Sequence, residues 1–175
     1  MSCFAGGHLL FKDDPFEGQD TFLFELIKVA AGAGVQVQFG HAICQTFVRD
    51  WLGRMADANA LPFFVTRSPV EDTSDTLIAP DPFLHPPTDI ERVLRASFGA
   101  IHQVLARALE STDVHSAMVV FSDSERIDET YVEIAASSID FVEVCLGGFP
   151  RDGSVPTLRI AVSGAGARRY RRNDA

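Results

Sequence analysis

The sequence that decides the fold lies between residues 38 and 52 and reads QFGHAICQTFVRDWL. Its apolar residues recur at the three-to-four spacing of one helix face, at positions 43, 47, 48, 51, 52 and, further on, 55. Gly40 precedes this pattern, so we predict a helix over residues 41–58. Residues 35–39 alternate between apolar and polar, which predicts an extended segment with Gln36 and Gln38 on one side.

Cys44 falls in the first turn of this predicted helix. The backbone N–H groups and the positive end of the helix dipole both favour the thiolate, which is the nucleophilic form of cysteine. A buried core position is the alternative, because Cys is among the most buried residue types and Cys44 shares a helical side with Val48 and Trp51. The helix alone leaves both interpretations open.

A glutamine six residues before a cysteine that opens a helix resembles the papain-like cysteine peptidases. Phe47, Trp51 and Leu52 after the cysteine are similar to the pattern of the YopT-type branch, which consists of bacterial effector proteases. The resemblance implies a papain-like fold, a nucleophilic Cys44 and a Gln38 side chain that helps to bind the oxyanion. The residues on either side of Cys44 differ from the small and aromatic residues beside the papain cysteine.

A histidine follows at a spacing that is shorter than in papain and that the small amidases tolerate. His115 lies 71 residues after Cys44, at the start of a predicted strand over 114–121. A polar turn at 122–129 and a second strand at 130–136 predict an antiparallel hairpin. An ordinary strand-edge histidine is the alternative interpretation of His115.

The hairpin would also supply the third residue of a triad, because the base of a cysteine nucleophile needs a group that orients it. Glu133 is the only carboxylate between residues 133 and 137. The order of cysteine, histidine and acid resembles the compact CHAP and NlpC-type amidases. YopT-type proteases carry an Asp-Pro pair here, which this chain lacks after His115, so Asp128 and Asp140 stay open as alternatives.

The length and composition fit one α+β domain. With 175 residues, 46% of them hydrophobic, the chain can bury an adequate core. We predict a flexible leader over 1–19, a domain over 20–164 and a basic tail over 165–175. In the leader, Gly6 and Gly7 indicate a loop and His8 would be exposed. The acids at 13, 14, 17 and 20 would form a solvated face. The papain-like fold would pack helices on an antiparallel sheet, with helices at 21–31 (capped by Asp20), 41–58 and 89–110, and strands near 63–66, 114–121, 130–136 and 157–162.

The charge and the cysteines narrow the function classes. A net charge of −9 argues against nucleic acid as a partner. The three cysteines, at 3, 44 and 145, have no metal-type spacing, and we expect neither a metal nor a cofactor. No segment has the length of a membrane span, and no signal peptide is visible. These features favour the cytoplasm, or secretion by a dedicated system without a cleavable signal.

Two functions follow from these observations. The first is a cysteine hydrolase, a protease or amidase and an effector or toxin, that cleaves a peptide or amide bond of a protein or peptide substrate. Cys44 would attack, His115 would move the proton and Glu133 would fix the imidazole. The second is a non-enzymatic acidic binding protein, such as an immunity protein or a secretion chaperone, that covers a basic protein partner.

Overall fold

One six-stranded sheet forms the centre of the protein. The computed structural model describes residues 4–15, 17–43, 46–54, 59–67, 87–122, 131–135, 141–147 and 158–163. Within these residues the elements are β1 (Phe4–Phe11), α1 (Asp20–Gly32), β2 (Gln36–Phe39), a 3₁₀ turn (Gly40–Ala42), α2 (Thr46–Gly53), β3 (Ala60–Thr66), α3 (Pro87–Leu109), β4 (Val114–Ser122), β5 (Tyr131–Ala135), α4 (Phe141–Gly147) and β6 (Leu158–Ser163).

The strands follow the order β2-β3-β1-β4-β6-β5. Every neighbouring pair is antiparallel except β5 and β6, which run parallel. The protein therefore has an α+β fold, and its sheet is antiparallel apart from the last pair. None of the helices in the described part of the chain is long and apolar enough to cross a membrane.

The prediction of a flexible leader over residues 1–19 is wrong for residues 4–11, because these residues form the strand β1. β1 lies between β3 and β4 and pairs with both along its length. Gly6 and Gly7, which suggested a loop, instead allow close approach: a Cβ atom on Gly7 would lie 1.8 Å from the carbonyl oxygen of Met118. Glycine inside a strand often marks such a close backbone approach.

The main core lies on one face of the sheet, beneath α1 and α3. The helix predicted at 89–110 is confirmed as α3, and it buries Leu94, Phe98, Ile101 and Leu105 at helical spacing. Phe98 meets Phe121 of β4 in an edge-to-face contact with ring centroids 5.1 Å apart. This contact fixes the long helix over the middle of the sheet.

α1 confirms the helix predicted at 21–31, but two details differ. Asp20 is the first residue of the helix, and Gln19 occupies the cap position without a side-chain hydrogen bond. Leu26 and Ala30 are buried, whereas Ile27, which helical spacing places beside them on one apolar face, is 40% exposed. The buried face of α1 is therefore turned away from Ile27. This orientation is set by the packing of α1 against α3 and β2, and the helical pattern alone does not specify which elements α1 contacts.

A second, smaller core lies on the opposite face, where α2 packs. Val48 and Leu52 of α2 join Ile43, Phe64 and Val120 in one buried cluster. The helix predicted at 41–58 begins only at Thr46, because the chain first forms a 3₁₀ turn and Ile43 is then extended. Gly40 has a positive φ of 54°, which starts this irregular segment.

The predicted hairpin of β4 with residues 130–136 is also wrong. The strand β5 exists, but β6 lies between β4 and β5. β6 pairs antiparallel with β4 and parallel with β5. Local sequence suggests a hairpin wherever two strands follow each other closely, whereas the return of a later strand between them depends on contacts distant in sequence.

Candidate functional site

The register of the sheet places Gln38 and His115 far apart. Gln38 of β2 aligns with Phe64 of β3, then with Gly6 of β1 and Val120 of β4. His115 lies five residues before Val120 on β4. Three strand spacings and five residues along a strand separate the two Cα atoms by roughly 20 Å. The residues predicted to hold the oxyanion and to act as base are not brought together.

His115 itself is an exposed residue at a bulge. Leu10 of β1 pairs with Ser116 and Phe11 pairs with Val114, so His115 is the extra residue between them. Its Nδ1 atom lies 3.1 Å from the hydroxyl oxygen of Ser116. The contact described for this ring is therefore local.

Glu133 is also distant from His115. Its backbone on β5 aligns with Ala161 of β6, which in turn aligns with Met118 of β4. Two strand spacings and three residues place the Cα atoms of Glu133 and His115 about 14 Å apart. Glu133 therefore does not lie on a strand paired with β4, which is the position from which it was predicted to orient His115. Asp128 and Asp140 lie outside the described residues.

Cys44 lies outside the described residues too, but its surroundings in sequence are described. Ile43 is buried against Phe64 and Val120, at the level of Gln38 in the sheet. Cys145, by contrast, is buried in α4, and burial raises the pKa of its thiol far above the usual range. A neutral, buried thiol cannot serve as a nucleophile.

A buried histidine on β1 was not expected from the sequence, which suggested an exposed residue in a loop. His8 is only 1% exposed, and its Nε2 atom lies 2.8 Å from the carbonyl oxygen of Leu52. Because a carbonyl only accepts, Nε2 carries the proton and donates it to this oxygen. His8 therefore holds the last turn of α2 on the sheet.

The described residues bring acids together at one end of the sheet. The backbone N–H of Lys12, just after β1, donates to the carbonyl oxygen of Asp113, just before β4, at 2.9 Å. Phe22 in the first turn of α1 meets Phe11 edge-to-face at 6.3 Å, which holds the start of α1 at the same end. We call this surface the acidic end; its exposed carboxylates are Asp13, Asp14, Glu17, Asp20, Glu110 and Asp113.

The acidic end carries an excess of negative charge. Its six carboxylates are accompanied by two cations, Lys12 and Arg107, which leaves a formal charge of −4. Arg107 forms an ion pair with Glu110 within one turn. The sequence suggested that the acids at 13, 14, 17 and 20 are a solvated face; it did not show that Glu110 and Asp113 join them. The boundary between a helix and a strand at 110–114 is the signal that could have indicated this.

Acids on the helical side of the protein are balanced instead. Arg95 of α3 bonds to Glu143 of α4 and, at 3.1 Å, to Glu91 one turn earlier. The hydrogen bond from Arg95 lowers the pKa of Glu143, and the bonds to both carboxylates raise the pKa of Arg95. His102 stacks on Phe141 with ring centroids 5.0 Å apart, which also holds α4 on α3. This surface is a structural contact between helices.

The described residues contain no group of three or more His, Cys, Asp or Glu side chains placed to bind a metal ion. Comparisons of the chain with protein-family models, with curated proteins and with solved structures found no match.

Proposed function

We propose that the protein is a non-enzymatic acidic binding protein whose acidic end contacts a basic protein surface. The observation that carries this proposal is the junction of the acids after β1 with those before β4 through the Lys12–Asp113 hydrogen bond. The carboxylates come from two chain segments almost a hundred residues apart in sequence, and β1 and β4 hold both segments. A surface with one sign of charge attracts partners of the other sign and speeds their association.

The chemistry of the partner follows from the charge. Carboxylates accept hydrogen bonds from arginine and lysine, and bidentate arginine pairs are the strongest of these. Nucleic acid and anionic lipid surfaces would be repelled by the same charge. The partner is therefore a protein or peptide rich in arginine or lysine, and its binding weakens as salt screens the charges.

A labelled arginine nonapeptide tests this proposal, with a glutamate nonapeptide as the control ligand. Fluorescence anisotropy should show that the protein binds the arginine peptide and does not bind the glutamate peptide. The affinity for the arginine peptide should fall as the NaCl concentration rises. Asp13→Asn with Asp113→Asn removes two carboxylates of the acidic end. Exposed ion pairs contribute about 0.5–1 kcal/mol each, so we expect the double substitution to weaken binding by about five- to thirtyfold.

The matched control removes two carboxylates elsewhere and leaves the same net charge. Glu91→Gln with Asp50→Asn changes α3 and α2 away from the acidic end. This variant should bind the arginine peptide within about twofold of the unchanged protein, since screening limits the reach of exposed charges to about 8–10 Å. Equal weakening by both double substitutions, or no binding of the arginine peptide at low salt, would remove the acidic end as the binding site.

The papain-like cysteine hydrolase stays a second proposal. In this proposal Cys44 is the nucleophile, and His115 and Glu133 are no longer assigned as its partners. Its support is the spacing of Gln38 from Cys44, together with the start of α2 at Thr46, two residues after that cysteine. The separation of His115 from Gln38 and Glu133 counts against the triad in its predicted form. A hydrolase would lose its activity on Cys44→Ser, whereas the binding protein would keep its affinity for the arginine peptide.

A further inference from the structure

The outward side of α1 carries two large apolar side chains that no other described element covers. Phe24 is 56% exposed and Ile27 is 40% exposed, while Leu26 and Ala30 of the same helix face the core. Asp20 and Ala31 are exposed at the two ends of this line. We call Asp20, Phe24, Ile27 and Ala31 the α1 stripe. Large exposed apolar side chains that are neighbours on a helix indicate a contact surface more than scattered ones do.

The intervals between the residues of the α1 stripe are the same whether the helix is followed from its N-terminus or from its C-terminus. Its residues follow one another at intervals of four, three and four, which is the heptad spacing of a helix-pairing seam. A twofold axis midway between Phe24 and Ile27 therefore places Phe24 of one helix opposite Ile27 of an antiparallel copy. It also places Asp20 opposite Ala31, where the small side chain leaves room. Self-complementarity under a twofold axis is the requirement for an isologous dimer.

The charges beside the α1 stripe are self-complementary as well. Glu25 and Lys28 lie on the same flank and pair within one helix at 3.3 Å. In such an antiparallel pair, Lys28 of one copy lies opposite position 23 of the other copy. It is therefore displaced from Glu25 of that copy by only about 3 Å along the helix axis. The same two residues can therefore form two pairs between the copies. Lys28 also lies over the Phe24 ring, 4.7 Å from its centroid, so the cation and the apolar stripe form one surface.

We propose that the α1 stripe binds the α1 stripe of a second copy of this chain, in an antiparallel helix pair. This dimer does not use Cys44, and its two large apolar side chains, Phe24 and Ile27, lie outside the acidic end. Asp20 belongs to both surfaces, so the tests below change other residues of the stripe. α1 has 13 residues, so one helix pair buries less area than a standard protein–protein interface. The dimer is accordingly weak, with a dissociation constant on the order of tens of micromolar, and depends on protein concentration.

Sedimentation equilibrium of the full chain tests the dimer. The unchanged protein should show a monomer–dimer equilibrium in the micromolar range, and Phe24→Ser with Ile27→Ser should be monomeric throughout. Both side chains are exposed, so this variant should keep the thermal unfolding midpoint of the unchanged protein within a few degrees. Leu10, which is half-buried on β1, offers a matched control: Leu10→Ser changes apolar surface away from α1 and should leave the dimer intact.

A charge exchange separates a second copy from any other occupant of the α1 stripe. Glu25→Lys alone places like charges across the axis and should weaken the dimer about two- to fivefold, and Lys28→Glu should do the same. The double substitution Glu25→Lys with Lys28→Glu restores opposite charges and should return the dissociation constant to that of the unchanged protein. An unchanged protein that is monomeric at millimolar concentration overturns the proposal. So does a double charge variant that is weaker than both single variants, or a stripe variant that still dimerises.

Discussion

The position of β1 in the centre of the sheet predicts a severe effect of Gly7→Ala. The added Cβ atom would lie 1.8 Å from the Met118 carbonyl oxygen and 2.8 Å from its carbon, both backbone atoms of β4. Because backbone atoms cannot rotate away, β1 and β4 must separate by more than about 1 Å near this pair. We expect two ladder hydrogen bonds to weaken, at about 1 kcal/mol each, in addition to about 1–3 kcal/mol of overpacking.

The total, about 3–5 kcal/mol, is a large part of the stability of a typical domain, which is about 5–15 kcal/mol. Chemical denaturation with urea, monitored by circular dichroism, measures it directly. Gly99→Ala is the matched control, since this glycine lies inside α3 and a Cβ atom there meets nothing within 4 Å. Alanine should stabilise that helix by about 0.5–1 kcal/mol. If Gly7→Ala is as stable as the unchanged protein, β1 does not lie between β3 and β4.

Three further predictions concern single side chains. His8→Ala removes the hydrogen bond to Leu52 and a buried ring, so urea denaturation should show a loss of about 2–4 kcal/mol; a loss under about 0.5 kcal/mol would contradict the burial of His8. Because Arg95 lowers the pKa of Glu143, this carboxylate stabilises the fold above its unfolded-state pKa and ceases to do so as the pH falls through its folded pKa. Glu143→Gln should thus lower the unfolding midpoint at pH 7 and not near pH 3, and equal effects at both would refute the pairing. Cys145 should react with iodoacetamide only on unfolding, because it is buried; fast native labelling would show that α4 opens.

Much of the secondary structure was predictable because it follows from local periodicity. The stripe of α3 and the alternation over residues 36–39 fix their elements without reference to the rest of the chain. β1 was missed because Gly6 and Gly7 usually indicate a turn, and only the neighbouring strands show that they serve close approach. The position of β6 between β4 and β5 is likewise a contact distant in sequence, which no local pattern encodes.

The predicted site depended on that topology. His115 and Glu133 would meet only if β4 and β5 formed a hairpin, and the strand between them removes this possibility. The acidic end was predictable in part, since Asp13 and Asp14 are adjacent in sequence, but the approach of Asp113 depends on the pairing of β1 with β4. Residue types therefore indicated which side chains could carry chemistry, and the order of the strands decided which of them meet.

The claim that separates the acidic binding protein from a hydrolase with the predicted Cys44–His115 pair is that these two side chains do not act together. The direct measurement is the rate at which iodoacetamide alkylates Cys44 between pH 5 and pH 9, followed by mass spectrometry of the Cys44 peptide, in the unchanged protein and in His115→Ala. An acidic binding protein predicts the same rate and the same apparent thiol pKa in both proteins, because His115 lies at the far end of β4 from the cluster that contains Ile43. A cysteine hydrolase with the Cys44–His115 pair predicts fast alkylation at pH 6 that falls at least about tenfold in His115→Ala, because the imidazole would no longer stabilise the thiolate. That fall would show that the two side chains act as a pair, and it would contradict the proposal of a non-enzymatic binding protein.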